Sequence, residues 1–149
     1  MADLSTTDLA VRRAVYARFA AGGAPALAEV AGDLAMARDA VRASFERLAL
    51  AHVLVLEPGT HELRMAMPFS AVPTAFRVEG LGRQWFANCA WDAFGIAAAL
   101  SCDVIITTDC LDCRAEMIYG IRAGAPTRRD GVVHFSVPAQ RWWDDIVLT

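Results

Sequence analysis

Two side chains that could carry out chemistry stand three positions apart at the start of an apolar stretch. Cys89 and Asp92 lie in the run Asn-Cys-Ala-Trp-Asp at residues 88–92, just after a strand-like segment. Residues at this spacing share one face of a helix. A thiolate is a soft metal ligand and a strong nucleophile, and a neighbouring carboxylic acid can deliver a proton to what the sulfur has captured. The spacing therefore predicts a thiol–acid site at the start of a helix.

Each of these two residues also has an ordinary structural interpretation. A helix start favours the thiolate form of Cys89, but most free cysteines are simply small buried apolar residues. A carboxylate within an apolar helix, such as that of Asp92, costs free energy, so it is expected to have a hydrogen-bond or charge partner or a catalytic role. The alternative for Asp92 is a first-turn aspartate that the helix dipole stabilises.

The other cysteines are Cys102, Cys110 and Cys113. Cys110 and Cys113 have the C-x-x-C spacing of half a zinc site or of a redox pair, although a plain turn between two strands is the favoured interpretation. With Cys102 and His134 they could form a structural Cys₃His zinc site if the fold gathered them. His134 itself lies in an apolar strand pattern and is predicted to be a core histidine.

Composition narrows the class of protein. With 149 residues and 56% hydrophobic residues, the chain suits a compact domain or two small lobes rather than a disordered segment. All 14 basic residues are arginine, so Schiff-base chemistry, a phosphate-loop lysine and a lysine general base are excluded. The net charge of −3 gives no general attraction to nucleic acid.

The cellular location is also an expectation from the sequence. No apolar run approaches the ~20 residues that a membrane-spanning helix needs. Residues 1–7 lack the basic start and the apolar core of a signal peptide. We therefore expect a cytoplasmic protein without a membrane partner, whose cysteines are free thiols, ligands or catalytic groups.

Residues 1–67 are predicted to form a winged-helix-like lobe. Apolar periodicity predicts helices over about 8–21, 26–34 and 37–51, and alternating residues around Pro58-Gly59 predict a hairpin. Such lobes often bind DNA. Here the arginines of the third helix are offset by acids and the hairpin tip, residues 57–62, is acidic, so a packing lobe is favoured over DNA binding.

Residues 68–149 are predicted to form a small α+β lobe with a mostly antiparallel sheet. A proline-rich crossing over 67–73 should be barred from regular strand pairing. A helix over about 84–100 carries Cys89 and Asp92. Strands are predicted over 75–78, 104–108, 115–121 and 132–137, and the aromatic end from 138 to 149 should begin as a helix. The predicted fold class of the whole chain is α+β.

With these residues in view, the chain resembles the alkylmercury (organomercurial) lyase family along nearly its whole length. The most specific part is Gly-Arg-x-aromatic-x-Ala-x-Cys-Ala-x-Asp at residues 82–92. The resemblance implies that Cys89 is a catalytic thiol and Asp92 the proton donor, while a cysteine near Cys110 is structural in the family. It further implies protonolysis of a carbon–mercury bond, with no cofactor required and with mercury as the metal of substrate and product.

The resemblance also implies two thiolates on the metal and a thiol acceptor for the released Hg²⁺. The family's second catalytic cysteine would follow a segment like residues 142–149, and no cysteine stands after Cys113. Three explanations stay open: a truncated sequence, substitution by Cys110 or Cys113, or a relative that has lost or changed the reaction. The sequence thus predicts metal binding by Cys89, Cys110 and Cys113. The alternative is a non-catalytic protein that binds or senses a soft metal such as mercury, copper or zinc.

Overall fold

A computed structural model describes residues 4–147 of the chain. Its helices are α1 Thr6–Ala20, α2 Leu27–Asp33, α3 Arg38–Leu50 and α4 Ala90–Leu100, followed by a 3₁₀ helix over Ala139–Asp144. Its strands are β1 Val55–Leu56, β2 Leu63–Ala66, β3 Phe69–Ser70, β4 Phe76–Gly80, β5 Arg83–Ala87, β6 Val104–Asp109, β7 Glu116–Arg122 and β8 Ala125–Pro126.

The three predicted N-terminal helices are confirmed. In α1, Val11, Val15 and Phe19 recur every four residues and are almost fully buried. Helix α3 presents Phe45 and Leu48 to the same core. Burial of these apolar faces, rather than helix propensity, stabilises such short helices. The predicted hairpin that follows is formed by β1 and β2.

All strand pairs among the described residues are antiparallel, in the order β1-β2-β3-β5-β4-β6-β7-β8. The α+β fold class with a mostly antiparallel sheet is therefore confirmed. The sheet runs from the first hairpin into the second half of the chain. Whether residues 1–67 and 68–149 act as separate lobes stays a prediction, as does the winged-helix comparison.

The predicted helix over 84–100 is wrong in its first part. Arg83–Ala87 is strand β5, joined to β4 by a two-residue turn at Leu81 and Gly82, both with positive φ. Trp85 and Ala87 alternate inward with a period of two, and the Trp85 indole N–H donates to the Phe19 carbonyl at 2.6 Å. The helix starts only at Ala90 because these inward contacts fix the preceding segment as a strand.

The predicted unpaired crossing over 67–73 is also wrong. Phe69 and Ser70 form β3, which pairs with β2 on one side and β5 on the other. Pro68 and Pro73 flank this short strand, so neither ring removes a ladder hydrogen bond.

The strand predicted over 132–137 is absent from the described residues, and His134 is exposed rather than in the core. The last strand, β8, ends at Pro126, and Val132 is 92% exposed. An apolar alternating pattern forms a strand only where it pairs with a neighbouring strand, and residues 132–137 belong to none of the strands of the described sheet.

The C-terminal segment returns to the N-terminal half. The predicted helical start is present as the 3₁₀ helix, and Trp143 stacks on His52 with ring centroids 3.9 Å apart.

Among residues 4–147, no helix is both long and apolar enough to cross a membrane.

One of the arginines of the third helix, which a DNA-binding lobe would use for contacts with DNA, instead stabilises the fold through an ion pair. Arg47 of α3 forms an ion pair with Asp8 at 2.7 Å between Nη2 and Oδ1. This pairing ties α3 to the start of α1.

Candidate functional site

The junction of β5 and α4 places the predicted thiol and acid side by side. Cys89 is the N-cap residue of α4, with extended backbone, and Asp92 is the third residue after it. Both side chains are half-buried, whereas Trp91 between them is exposed. The structure therefore places Cys89 and Asp92 in the same first turn, as their spacing predicts.

Asn88 orients the Asp92 carboxyl group. The Asn88 Nδ2 donates to Asp92 Oδ2 at 2.9 Å and to the Phe69 carbonyl at 3.3 Å. Phe69 lies in β3, so the amide links the acid to the neighbouring strand. The opposite atom, Asn88 Oδ1, is buried without a hydrogen-bond partner among the described residues. Such a buried acceptor is costly, and functional sites are one place where it is tolerated.

Burial raises the pKa of Asp92 above its ordinary value, although the hydrogen bond from Asn88 lowers it in part. A carboxyl group in a water-poor place keeps its proton to higher pH than an exposed one. This is the direction that a proton donor near neutral pH requires.

Burial also raises the pKa of the Cys89 thiol. The backbone amide of Asp92 opposes this effect, and the negative charge on its carboxylate adds to it. The sequence favoured a stabilised thiolate at the helix start, but desolvation outweighs the helix amides here. A soft metal ion that displaces the thiol proton would overcome this effect.

Tyr16 is a neighbour of the site that sequence reasoning missed. Its hydroxyl donates to the Met67 carbonyl at 3.1 Å, and its ring meets Phe69 edge-on with centroids 6.5 Å apart. Burial raises the pKa of Tyr16, and the charge of Asp92 contributes to this shift. Only the fold could reveal Tyr16, since it lies in α1. Asn88, four residues before Asp92, could have been found from the helical i,i+4 spacing.

Cys110 and Cys113 form a second thiol pair in the turn between β6 and β7. The turn is closed by the amides of Cys110 and Arg114, which donate to the carbonyls of Ala115 and Cys110 at 2.9 Å each. Backbone amides of Cys113 and Asp112, with a smaller contribution from the Cys113 thiol, lower the pKa of Cys110. The interpretation as a turn is confirmed, and the two thiols are neighbours within it.

The other predicted metal ligands are not gathered into one site. Cys102 follows α4 and packs against the core. Across residues 4–147, no three His, Cys, Asp or Glu side chains lie close enough together to hold a metal ion. The structure thus does not gather Cys102, Cys110, Cys113 and His134, nor does it place Cys89 with Cys110 and Cys113 in one cluster.

A cavity of about 700 Å³ lies beside α4. Helix α4 contributes Ala90, Ala93 and Phe94 to its lining, and the opposite wall includes Cys110 and Thr108. Cys89 and Asp92 are not among the described lining residues. Cys89 directly precedes Ala90 in the chain.

The family model described as MerB, alkylmercury lyase, matches residues 69–149, more than half of the chain. The chain belongs to the alkylmercury lyase family. The matched region includes the two candidate site residues predicted from the sequence, Cys89 and Asp92, together with the Cys110–Cys113 turn.

Among solved structures, the chain is similar to the mercury-bound form of MerB2, with a TM-score of 0.67 and 21% sequence identity. The likeness covers 85% of this chain and 61% of the other, so the chain spans about three fifths of that protein's length. At this identity the likeness concerns the fold. No curated protein matches the sequence.

Proposed function

We propose that this member of the alkylmercury lyase family cleaves a carbon–mercury bond by protonolysis. The Cys89 thiolate binds the mercury of an organomercurial, and Asp92 donates a proton to the carbon. The carbon–mercury bond breaks with its electron pair on carbon, a carbon–hydrogen bond forms, and Asp92 is left as a carboxylate. The products are a hydrocarbon and thiolate-bound Hg²⁺, which a second thiol then accepts.

The observation that carries this proposal is the position of Cys89 and Asp92 in one half-buried turn. The thiol is at the N-cap and the acid lies three residues later, close enough for the charge of Asp92 to act on Cys89, so a metal held by the sulfur would have a proton source nearby. Asn88 fixes Oδ2 of the acid, which leaves Oδ1 to carry the proton.

The raised pKa values of both groups suggest where the proton comes from. Mercury binding displaces the proton of Cys89, because only the thiolate is a ligand. Asp92 is the adjacent base, and burial favours its protonated form. The same proton can then pass from Asp92 to carbon, which leaves the pair with one proton fewer until the thiol that accepts Hg²⁺ gives up its proton and Cys89 is protonated again.

Hydrocarbon release tests the catalytic proposal. Purified protein is incubated with a phenylmercury salt in excess small thiol, and benzene is measured by gas chromatography. We expect the wild type to release benzene. We expect release by Asp92→Asn to be slower by about a hundredfold or more, since a positioned general acid typically contributes that much. We expect a loss of at least the same size for Cys89→Ser, which lacks the thiolate that binds mercury. Cys102→Ser and Asp39→Asn are matched controls that should keep wild-type rates, because Cys102 lies just after the C-terminal end of α4, at the opposite end of the helix from Cys89, and Asp39 is an exposed first-turn acid of α3. Unchanged release by Cys89→Ser would contradict the mechanism.

The second candidate function is non-catalytic binding or sensing of a soft metal by thiols. The neighbouring thiols of Cys110 and Cys113 favour it, because soft thiolate ligands select such metals. Under this alternative the wild type retains mercury but releases no benzene. Metal analysis of the protein as purified, combined with thiol titration, would then show bound metal and protected cysteines.

A further inference from the structure

We propose that the cavity beside α4 binds the organic group of an organomercury cation whose metal is first captured by Cys110 and Cys113. This inference deepens the proposed function, on which it rests for the substrate class. It adds a separate entry site for bulky apolar, above all aromatic, organomercurials.

The walls of the cavity suit an apolar group. Ala93 and Phe94 of α4 face Ile106 and Met117 of the sheet. The cavity of about 700 Å³ lies within the usual range for small-molecule sites, and it far exceeds what a methyl group fills.

The segment after β8 forms part of the cavity lining and contacts Tyr119 of β7. The Tyr119 hydroxyl donates to the Asp130 carbonyl at 3.3 Å, and the Arg128 guanidinium lies 5.1 Å from the centre of the Tyr119 ring. A Cβ on Gly131 would stand 2.5 Å from the Tyr119 hydroxyl, so the chain passes this closely only with glycine. Phe94 meets the same ring edge-on at 6.4 Å, which links α4 to the sheet.

The thiols sit where the apolar wall ends. Cys110 lines the cavity, and Cys113, its neighbour in the turn, is exposed to solvent. An organomercury cation has a soft metal at one end and an apolar group at the other. The sulfurs and the apolar wall match these two ends, since thiolates select soft metals and burial favours the organic group.

The two sites can exchange the substrate through mercury. The cavity lining begins at Ala90, the residue after Cys89. In the transfer, a sulfur–mercury bond forms at Cys89 while the bonds to Cys110 and Cys113 break. The proton of Cys89 passes to one of the two released thiolates, and the other takes a proton from solvent. No oxidant or reductant is needed, and the carbon–mercury bond stays intact until Asp92 donates its proton.

The test measures binding without cleavage. In a Cys89→Ser background, protein is mixed with one equivalent of phenylmercury or methylmercury and a competing small thiol. The retained adduct is located by intact mass spectrometry and peptide mapping. We expect one phenylmercury on the 110–113 peptide and, because a ring buries much more apolar area than a methyl group, a preference of about tenfold or more for phenylmercury.

Further variants separate this inference from the proposed function. Adding Cys110→Ser and Cys113→Ser should remove the retained adduct, whereas adding Cys102→Ser should not, with circular dichroism confirming that each variant is folded. Retention on the 110–113 peptide without benzene release by the wild type would uphold the capture site and refute the lyase. Benzene release by the wild type with equal retention of phenylmercury and methylmercury, or with retention independent of Cys110 and Cys113, would overturn the capture site and leave the lyase standing.

Discussion

Helices α1 and α4 each begin with a capping residue that is followed three positions later by an aspartate. In α1 the pair is Ser5 and Asp8, and in α4 it is Cys89 and Asp92. The Asp8 side chain is only 2% exposed, yet its pKa is strongly lowered, because Arg47, Ser44 and Ser5 all donate to its carboxylate. Asp92 is less buried, but burial raises its pKa, because the hydrogen bond from the neutral amide of Asn88 lowers the pKa too little to offset the loss of water.

This contrast shows how one local geometry serves two purposes. A carboxylate with a guanidinium partner is an anion that holds the fold together. A carboxyl group in similar surroundings without a cation keeps its proton more readily and can donate it. The partner on another element, rather than the helix turn itself, decides which role the aspartate has.

Removing the charge of Asp8 should have the largest effect on stability. Asp8→Asn leaves Arg47 without its anion and weakens the link between α1 and α3. Because Arg47 is 48% exposed, we expect a loss of about 2–3 kcal/mol, somewhat below the cost of breaking a fully buried pair. Urea unfolding at pH 7 measures it, with Asp39→Asn as the exposed control that should change stability by no more than about 0.5 kcal/mol. A loss for Asp8→Asn as small as that of the control would contradict this role.

The acid dependence of stability should follow Asp8. Its pKa is lower in the folded than in the unfolded chain, where it is near 3.8, so the unfolded state binds more protons in acid. The stabilisation is complete at neutral pH and declines as the pH falls below about 5. Between pH 7 and pH 3 the stability of the wild type should therefore begin to approach that of Asp8→Asn, and the difference should continue to shrink at lower pH. Parallel curves would assign the acid sensitivity to other groups.

Cys89→Ser should make the start of α4 resemble that of α1. In α1, the Ser5 hydroxyl accepts from the Asp8 amide at 3.1 Å and donates to Oδ2 at 2.7 Å. A serine at 89 can form the same pair with Asp92, and a good N-cap contributes about 1 kcal/mol. We expect the variant to be more stable and the pKa of Asp92 to fall, as measured by urea unfolding and by NMR titration of the carboxyl carbon. Cys102→Ser, away from any N-cap, should bring no such gain, and an unchanged Asp92 titration would argue against the equivalence.

Asp92→Asn should change the stability of the protein only slightly, and in the opposite direction to Asp8→Asn. Because burial raises the folded pKa of Asp92, the folded state binds more protons than the unfolded state, and stability falls as the pH rises through that pKa. Removing the charge should then increase stability at pH 8 by about 0.5 kcal/mol, a typical scale for partly exposed positions. The difference should vanish in acid. Thermal unfolding at pH 8 and pH 4 measures it, and destabilisation at pH 8 would show that the carboxylate has an anionic role after all.

The elements that the sequence predicted well are those with a strong local pattern. The three N-terminal helices have apolar residues at helical spacing, and β6 and β7 have their predicted extents within two residues. The predictions failed where contacts with residues distant in the sequence determine the local structure. Arg83–Ala87 is a strand because Trp85 reaches Phe19, and residues 132–137 form no strand because they pair with no neighbouring strand of the described sheet.

The sequence by itself determined that Cys89 and Asp92 share a helical turn, because their spacing and the rise of a helix fix that relation. It also determined the family pattern around them and the absence of lysine chemistry. Only the tertiary structure decided that Asp92 lies beside Asn88 and Tyr16 instead of an arginine, and that Cys110 opens onto a cavity next to α4. The physical reason is that a pKa and a cavity depend on groups brought together from distant parts of the chain, whereas a helical turn depends on neighbours in sequence.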